Sequence, residues 1–448
     1  MKPASAAASI DTDRVARLGD QLVGWQHKAV PPRFWGATVA ELVAAAPRLS
    51  ELSTPLLTLS EPAVASNIAT MSRWAAERGL EIAPHGKTTM APALWARQLK
   101  AGAWAITVAT PAQLAVARAF GVSRVMLANE VTSPAALRWM ADELAADTAL
   151  ELLVWADSVD GVRLMEAALV AHAASHPGVA FRPLGVLVER GLPGGRAGAR
   201  SEAAALQVAD AVARSGTLRL AGVAGYEGAI AHGTDDASLN AVRGYLRGMV
   251  ALHNQVSALG LYPPDAVPVV TAGGSAYFDV VADELASLTD TGARVVLRSG
   301  AYVAHDDGFY RQVSPLGGSR RTTGQLLVPA LHGWATVISR PEPGLALLDG
   351  GKRDFPYDEG LPEIQVRSSR ARGEAGARLE GVHVSALNDQ HAFLSLPTGP
   401  PSPVRVGDRL RLGLSHPCTA FDKWVLIPVI DDPDGEDPLV VDLLRTFF

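Results

Sequence analysis

Eight short apolar runs recur between Ile82 and Leu297: Ile82-Ala83, Ala105 to Val108, Val125 to Ala128, Leu152 to Trp155, Leu184 to Val188, Leu220 to Ala224, Val267 to Val270 and Val295 to Leu297. Each is continuous in hydrophobicity rather than alternating, the pattern of strands covered on both faces. Stretches of helical composition separate them, for example Pro111 to Phe120 and Pro134 to Leu144. The count and order predict an α/β fold, a (β/α)8 TIM barrel. A doubly wound sheet is the rival architecture, but no G-x-G-x-x-G follows the first strand and Gly191-Leu192-Pro193-Gly194-Gly195 lacks that spacing.

The flanks have other patterns. Residues 1–50 read as a helical N-terminal extension, with Val39 to Ala46 its clearest apolar segment and Trp25 and Trp35 as docking anchors. Thr54 to Leu59 reads as a strand. Ser60 caps a helix that starts at Glu61-Pro62, runs to about Arg78 and ends at Gly79. Beyond about residue 315 come short strand-like runs separated by turn residues: Leu326 to Pro329, Trp334 to Ile338, Leu345 to Leu348, Val382 to Val384, Ala392 to Leu396, Leu410 to Leu414 and Trp424 to Ile427. They predict a C-terminal β domain, joined by the strand near Leu56, in which Ser368 to Arg378 forms a loop. The division expected is 1–50 extension, 51–315 barrel and 316–448 β domain.

Composition narrows the function. With 48% hydrophobic and 19% charged residues and a net charge of −6, the 448-residue chain is an ordinary globular composition without the basic footprint of a nucleic-acid or anionic-membrane binder. No apolar run approaches the ~18 residues that span a bilayer. The single cysteine, Cys418, fits a reducing compartment, and Asp11 and Asp13 interrupt any secretory h-region, so a cytoplasmic location is expected.

At the C-terminal ends of the barrel strands, where such folds keep their chemistry, polar residues cluster: His85 and Lys87, Thr107 and Thr110, Asn129 and Glu130, Asp157, Glu189 and Arg190, Tyr226 and Glu227, Gly273-Gly274-Ser275, and Ser299-Gly300 with Tyr302. Lys87 carries the most information. Only six of the chain's 40 basic residues are lysines, so a lysine at a strand end suggests a task that guanidinium cannot perform, such as forming an imine with an aldehyde. After the seventh strand, Gly273-Gly274-Ser275 opens a helix near Tyr277. Paired glycines and a helix N-terminus suit a phosphate there. Lysine and phosphate cup together fit pyridoxal phosphate. In the β domain, His416 and Cys418 stand two apart in a segment read as extended, which would aim both at one metal ion.

These residues carry a family resemblance. Pro84-His85-Gly86-Lys87-Thr88, Tyr226-Glu227-Gly228, Gly273-Gly274-Ser275 and Leu297 to Tyr302 resemble the D-serine dehydratase and D-threonine aldolase family, of the fold-type III pyridoxal phosphate enzymes related to alanine racemase. The resemblance covers roughly residues 54–430. It implies that Lys87 is the Schiff-base lysine, that Gly273, Gly274, Ser275, Gly300 and Tyr302 surround the phosphate, and that His85 and Tyr226 lie near the cofactor. Arg196, in Arg196-Ala197-Gly198, is a candidate for holding the pyridine ring or a substrate carboxylate. It further implies that His416 and Cys418 bind a divalent metal, zinc before manganese or magnesium because thiolate and imidazole are zinc ligands. The expected activity is dehydration of a β-hydroxy-D-amino acid such as D-serine to a 2-oxo acid and ammonia, by a homodimer. Cleavage to glycine and an aldehyde is the alternative, ahead of racemisation or non-catalytic cofactor binding.

Overall fold

The structure, a computed structural model, describes residues 8–369, 374–397 and 404–448. The chain divides into two compact units that alternate along the sequence. The first comprises Met1–Asp11, Ser72–Lys87 and Trp95–Gly300, and the second Thr12–Met71, Thr88–Leu94 and Ala301–Phe448.

Strand β1 (Leu56–Ser60) belongs to the second unit. The next eight, β2 (Glu81–Ile82), β3 (Ile106–Val108), β4 (Arg124–Glu130), β5 (Glu151–Ala156), β6 (Leu184–Arg190), β7 (Leu218–Gly225), β8 (Val269–Ala272) and β9 (Arg294–Leu297), are the eight runs expected from the sequence, all parallel, in the order β2-β9-β8-β7-β6-β5-β4-β3. The end strands β2 and β3 are joined by hydrogen bonds from Trp104 N to Ile82 O (2.7 Å) and Thr107 N to Pro84 O (2.9 Å) and by a parallel bridge between His85 and Thr107. The sheet therefore curls into the predicted barrel. Its interior is filled by Ala83, Trp104, Met126, Trp155, Leu187, Ala224 and Val296, small residues interleaved with two indoles. Helices α5 (Pro111–Ala119), α6 (Pro134–Ala146), α7 (Val159–Ser175), α8 (Glu202–Arg214) and α9 (Asp236–Ala258) each begin with a Thr, Ser or Asp side chain accepting an N–H of the first turn, worth ~1 kcal/mol apiece. At its bulge, Ala221-Gly222, β7 runs close to β8: a Cβ on Gly222 would lie 1.8 Å from Val269 O.

The second unit holds a ten-stranded mixed sheet. Strands β10 (Leu331–Glu342), β11 (Leu345–Leu348), β12 (Glu363–Ser369), β13 (Glu374–Arg378), β14 (His383–Leu387), β15 (Ala392–Ser395), β16 (Arg409–Gly413), β17 (Leu426–Ile430) and β18 (Val440–Arg445) build it around β1, which pairs antiparallel with β10 and parallel with β17. Three expectations need correction. Leu326 to Pro329 is no strand, because Asn67 takes both the N–H (2.8 Å) and the carbonyl (2.7 Å) of Val328 and leaves no ladder to join. The Ser368 to Arg378 loop is instead the ends of the β12–β13 hairpin, residues 370–373 lying outside the described ones. The lead-in is helical only in α1 (Thr12–Ala16), α2 (Val39–Ala44) and short 3-10 turns. Val23, Val30, Val39, Leu42 and Leu49 pack it into the core with Trp334, Leu426 and Leu443, while Trp25 and Trp35 are 80% and 46% exposed and are not part of that core, Trp35 reaching only Val30 O through its indole N–H (3.0 Å).

Candidate active site

Lys87 sits where β2 ends, on a 3-10 turn Gly86–Thr88. The turn needs its glycine: a Cβ on Gly86 would come within 2.9 Å of Trp95 and Ile106, so the backbone carrying Lys87 is pressed against the barrel wall. The preceding His85 is a half-buried imidazole whose Nδ1 has no hydrogen-bond partner. Its pKa is held well below the usual histidine range, first by burial and then by the positive charges of Lys87, Arg298 and Arg196. His85 is therefore neutral, and an acceptor or donor beside the lysine.

Around the rim the sequence-predicted residues divide into groups. Arg196 lies over the Tyr226 ring, its guanidinium carbon 4.7 Å from the centroid. Both border a cavity of about 220 Å³ walled by the Arg190–Ala197 loop, Ile230 and Tyr245. Tyr226 is fixed through its backbone: its N–H donates to the Tyr245 hydroxyl (3.1 Å), which donates to Arg190 O (2.5 Å). Tyr226 also explains Gly274, where a Cβ would approach the phenol ring to 3.1 Å. The Gly273 and Gly274 N–H groups both donate to one buried carboxylate, Glu227 (2.8 and 2.6 Å), and Ser299 Oγ donates to Gly274 O (2.9 Å). The turn opens α10 (Phe278–Leu285), near the predicted position, with Ser275 buried beside it. Gly300 ends the first unit, whereas Tyr302, buried on the 3-10 turn Ala301–Val303, belongs to the second.

Two features of this rim escaped the sequence. Arg298, buried inside the barrel mouth, donates to Thr271 Oγ1 and Gly225 O (2.7 Å each) and faces Glu227 and Glu189, whose charges oppose the depression that burial imposes on its pKa. Glu130 and Glu189, each named from the sequence as a strand-end residue, form a carboxyl–carboxyl contact near Asp157 that the sequence did not reveal. Burial, then the Glu189 charge, pushes the Glu130 pKa up to about 8, so at neutral pH Glu130 carries a proton. Glu130 Oε1 and Glu189 Oε2 have no partner. These contacts join residues dozens of positions apart, and no local spacing announces them.

In the second unit, His416 and Cys418 do not lie on an extended segment. Pro417 starts a short helix, α12 (Pro417–Phe421), with His416 as its N-cap residue in the left-handed region at φ 54°. Proline at the first helical position is the local reason. The left-handed backbone is held by Asp306, whose Oδ2 accepts the His416 N–H (3.0 Å) while Oδ1 accepts the N–H groups of Gly308, Tyr310 and Arg311. This turns the imidazole back onto Cys418. The His416 pKa is pushed up to about 9, first by the hydrogen bond to the Cys418 side chain and also by Asp358, whose Oδ2 is 2.5 Å from Nδ1. Cys418 Sγ lies 3.4 Å from Thr88 Oγ1, the hydroxyl next in sequence to Lys87.

The fold is that of the alanine racemase-like, fold-type III enzymes. Alanine racemase of Bacillus anthracis superposes with a TM-score of 0.56 at 14% identity, over 87% of this chain and 97% of that one. D-threonine aldolase of Filomicrobium marinum reaches 0.71 at 23% identity, over 90% and 96%. A D-threo-3-hydroxyaspartate dehydratase, solved as a cysteine-to-alanine mutant in its metal-free form, reaches 0.69 at 21%, over 90% and 99%. Residues 330–430 match the family model described as "Putative serine dehydratase domain". Among curated proteins, D-threonine aldolase of an Arthrobacter species is 27% identical over 393 residues, 87% of this chain and 92% of that protein. The 3-hydroxy-D-aspartate aldolase of Paracoccus denitrificans (strain Pd 1222) is 27% identical over 408 residues, 88% and 93%. These matches bear out the resemblance to the D-serine dehydratase and D-threonine aldolase family.

Proposed function

We propose that the protein is a pyridoxal phosphate- and divalent metal-dependent lyase of β-hydroxy-D-amino acids, and that its reaction is the dehydration of a substrate such as D-serine to a 2-oxo acid and ammonia. The observation that carries the reading is the His416–Cys418 pair. An imidazole and a thiol brought into contact by a left-handed residue are a zinc donor set that ordinary packing would not require. The cofactor fits the barrel rim on independent grounds. Lys87 supplies the amine, and His85 Nδ1 and Glu189 Oε2 are buried polar atoms without partners at the mouth, where a polar ring would satisfy them. The phosphate would take Ser275 and neighbouring N–H groups; those of Gly273 and Gly274 are held by Glu227.

When bound, the cofactor supplies an electron sink and the metal a Lewis acid for the β-oxygen. The chain's part is to hold these groups and manage protons. Lys87 Nζ would hold the cofactor, and its free amine would serve as a base. Neutral His85 contributes no competing charge beside it, and Arg196 on Tyr226 presents a cation to a carboxylate.

The thiolate favours dehydration. Two dehydratase structures carry alanine in place of a cysteine or of a histidine two positions before it, and His416 and Cys418 have that same spacing. Aldol cleavage is the second reading, favoured by the names of the two curated relatives. Product analysis separates them. D-threonine should give 2-oxobutanoate and ammonia, and D-serine pyruvate and ammonia; glycine and acetaldehyde as the main products from D-threonine would establish the aldolase.

A further inference from the structure

A metal-binding imidazole must offer one particular nitrogen, and neutral histidine has one donor nitrogen and one acceptor. In this chain a third residue makes that choice. Asp358, in the segment between β11 and β12, places Oδ2 2.5 Å from His416 Nδ1, while its Oδ1 accepts the Thr419 hydroxyl at 2.8 Å. The Thr419 hydroxyl is also 3.2 Å from the His416 carbonyl. One carboxylate is thus tied on both sides of Cys418, to the ring before it and to the helix residue after it. With Nδ1 occupied by Asp358, Nε2 is the ring nitrogen left for a metal.

We propose that Asp358 is a positioning residue of the metal centre, which accepts the Nδ1–H of His416 and so commits Nε2 as the ligating atom alongside Cys418 Sγ. The inference rests on reading His416 and Cys418 as the metal pair. A carboxylate acceptor behind a ligating histidine fixes the tautomer, fixes the ring's rotation and raises the basicity of the ligand nitrogen. Here the backbone alone does not hold the ring, because the left-handed His416 is followed by a helix of only five residues. Asp358 is also half-exposed and far from His416 in sequence. The ion pair by itself would stabilise the fold by at most ~1 kcal/mol.

The test is the zinc affinity of the full-length protein, measured by competition with a chromophoric chelator, for the wild type, Asp358→Asn and Asp358→Ala. Asp358→Ala should weaken zinc binding about 10–100-fold, the usual cost of losing such an outer partner. Asp358→Asn, whose amide oxygen still accepts from Nδ1, should recover most of it. The melting temperature of the metal-free protein and the imine absorbance should stay at wild-type values in both. A purely structural role would instead lower the melting temperature and leave the affinity of the folded protein alone. If both variants bind zinc as tightly as wild type, the assignment of Asp358 falls while the metal pair stands. If wild type itself takes up no zinc, the metal pair falls and this inference with it. Should Asp358→Ala fail to fold, the isosteric Asn variant decides: an affinity reduced by up to ~10-fold supports the role, and one unchanged or improved overturns it.

Discussion

Lys87 was the residue most open to reading from sequence, because two independent signals met on it: a strand end and a scarcity of lysine. The structure adds the reason for its neighbour, since only glycine fits at 86 against Trp95 and Ile106. Borohydride reduction of the cofactor-loaded protein should fix the label on Lys87. Recovery of the labelled peptide around Lys100 or Lys352 would remove the lysine from its role. Other functional contacts were closed to sequence reading for a physical reason. Glu227 holds the Gly273 and Gly274 N–H groups from a strand end 46 and 47 positions away, and Asp358 meets His416 across 58 positions. Glu227 stands out as a strand-end residue, but nothing local names its partners, and nothing marks Asp358 at all. The His416–Cys418 pair was legible as a pair but its geometry was not. Period-two reasoning applies to a strand, and Pro417 makes the segment a helix start.

At the scale of elements the eight barrel strands were legible because burial on both faces leaves uninterrupted apolar runs, whereas β12, with alternating polar residues from Glu363 to Ser369, was not. The strands also bring together charges that would repel in water. The β4 and β6 ends put Glu130 against Glu189, and the consequence is a pH dependence whose sign follows from the direction of the shift. Glu130 titrates in the folded state at about 8, above its ordinary 4.5, because burial and Glu189 disfavour the second negative charge. A carboxyl raised in this way stabilises the fold fully below its unfolded pKa, and that contribution is lost as pH rises through the folded value. The melting temperature should therefore fall as pH rises from about 4.5 to about 8 and level off above that, and Glu130→Gln, which cannot ionise, should flatten the fall. Parallel declines in wild type and variant would show that another group is responsible.

For the whole molecule, the proposed lyase would divide its chemistry between two sets of groups with different jobs, and the chain passes from one compact unit to the other between Lys87 and Thr88. Imine formation requires only an amine and an aldehyde, whereas expelling hydroxide from a β-carbon requires stabilisation of a poor leaving group. The two tasks should therefore separate under chelation. Exhaustive metal removal should leave the imine absorbance of Lys87 unchanged while turnover of D-serine and D-threonine is lost, and zinc should restore it. Replacing Cys418 by Asp should leave an all-N/O pair, which suits manganese better than zinc, so restoration should shift from zinc towards manganese. Full turnover after complete metal removal would mean that His416 and Cys418 serve only the fold, and the lyase mechanism would have to run on the barrel residues alone.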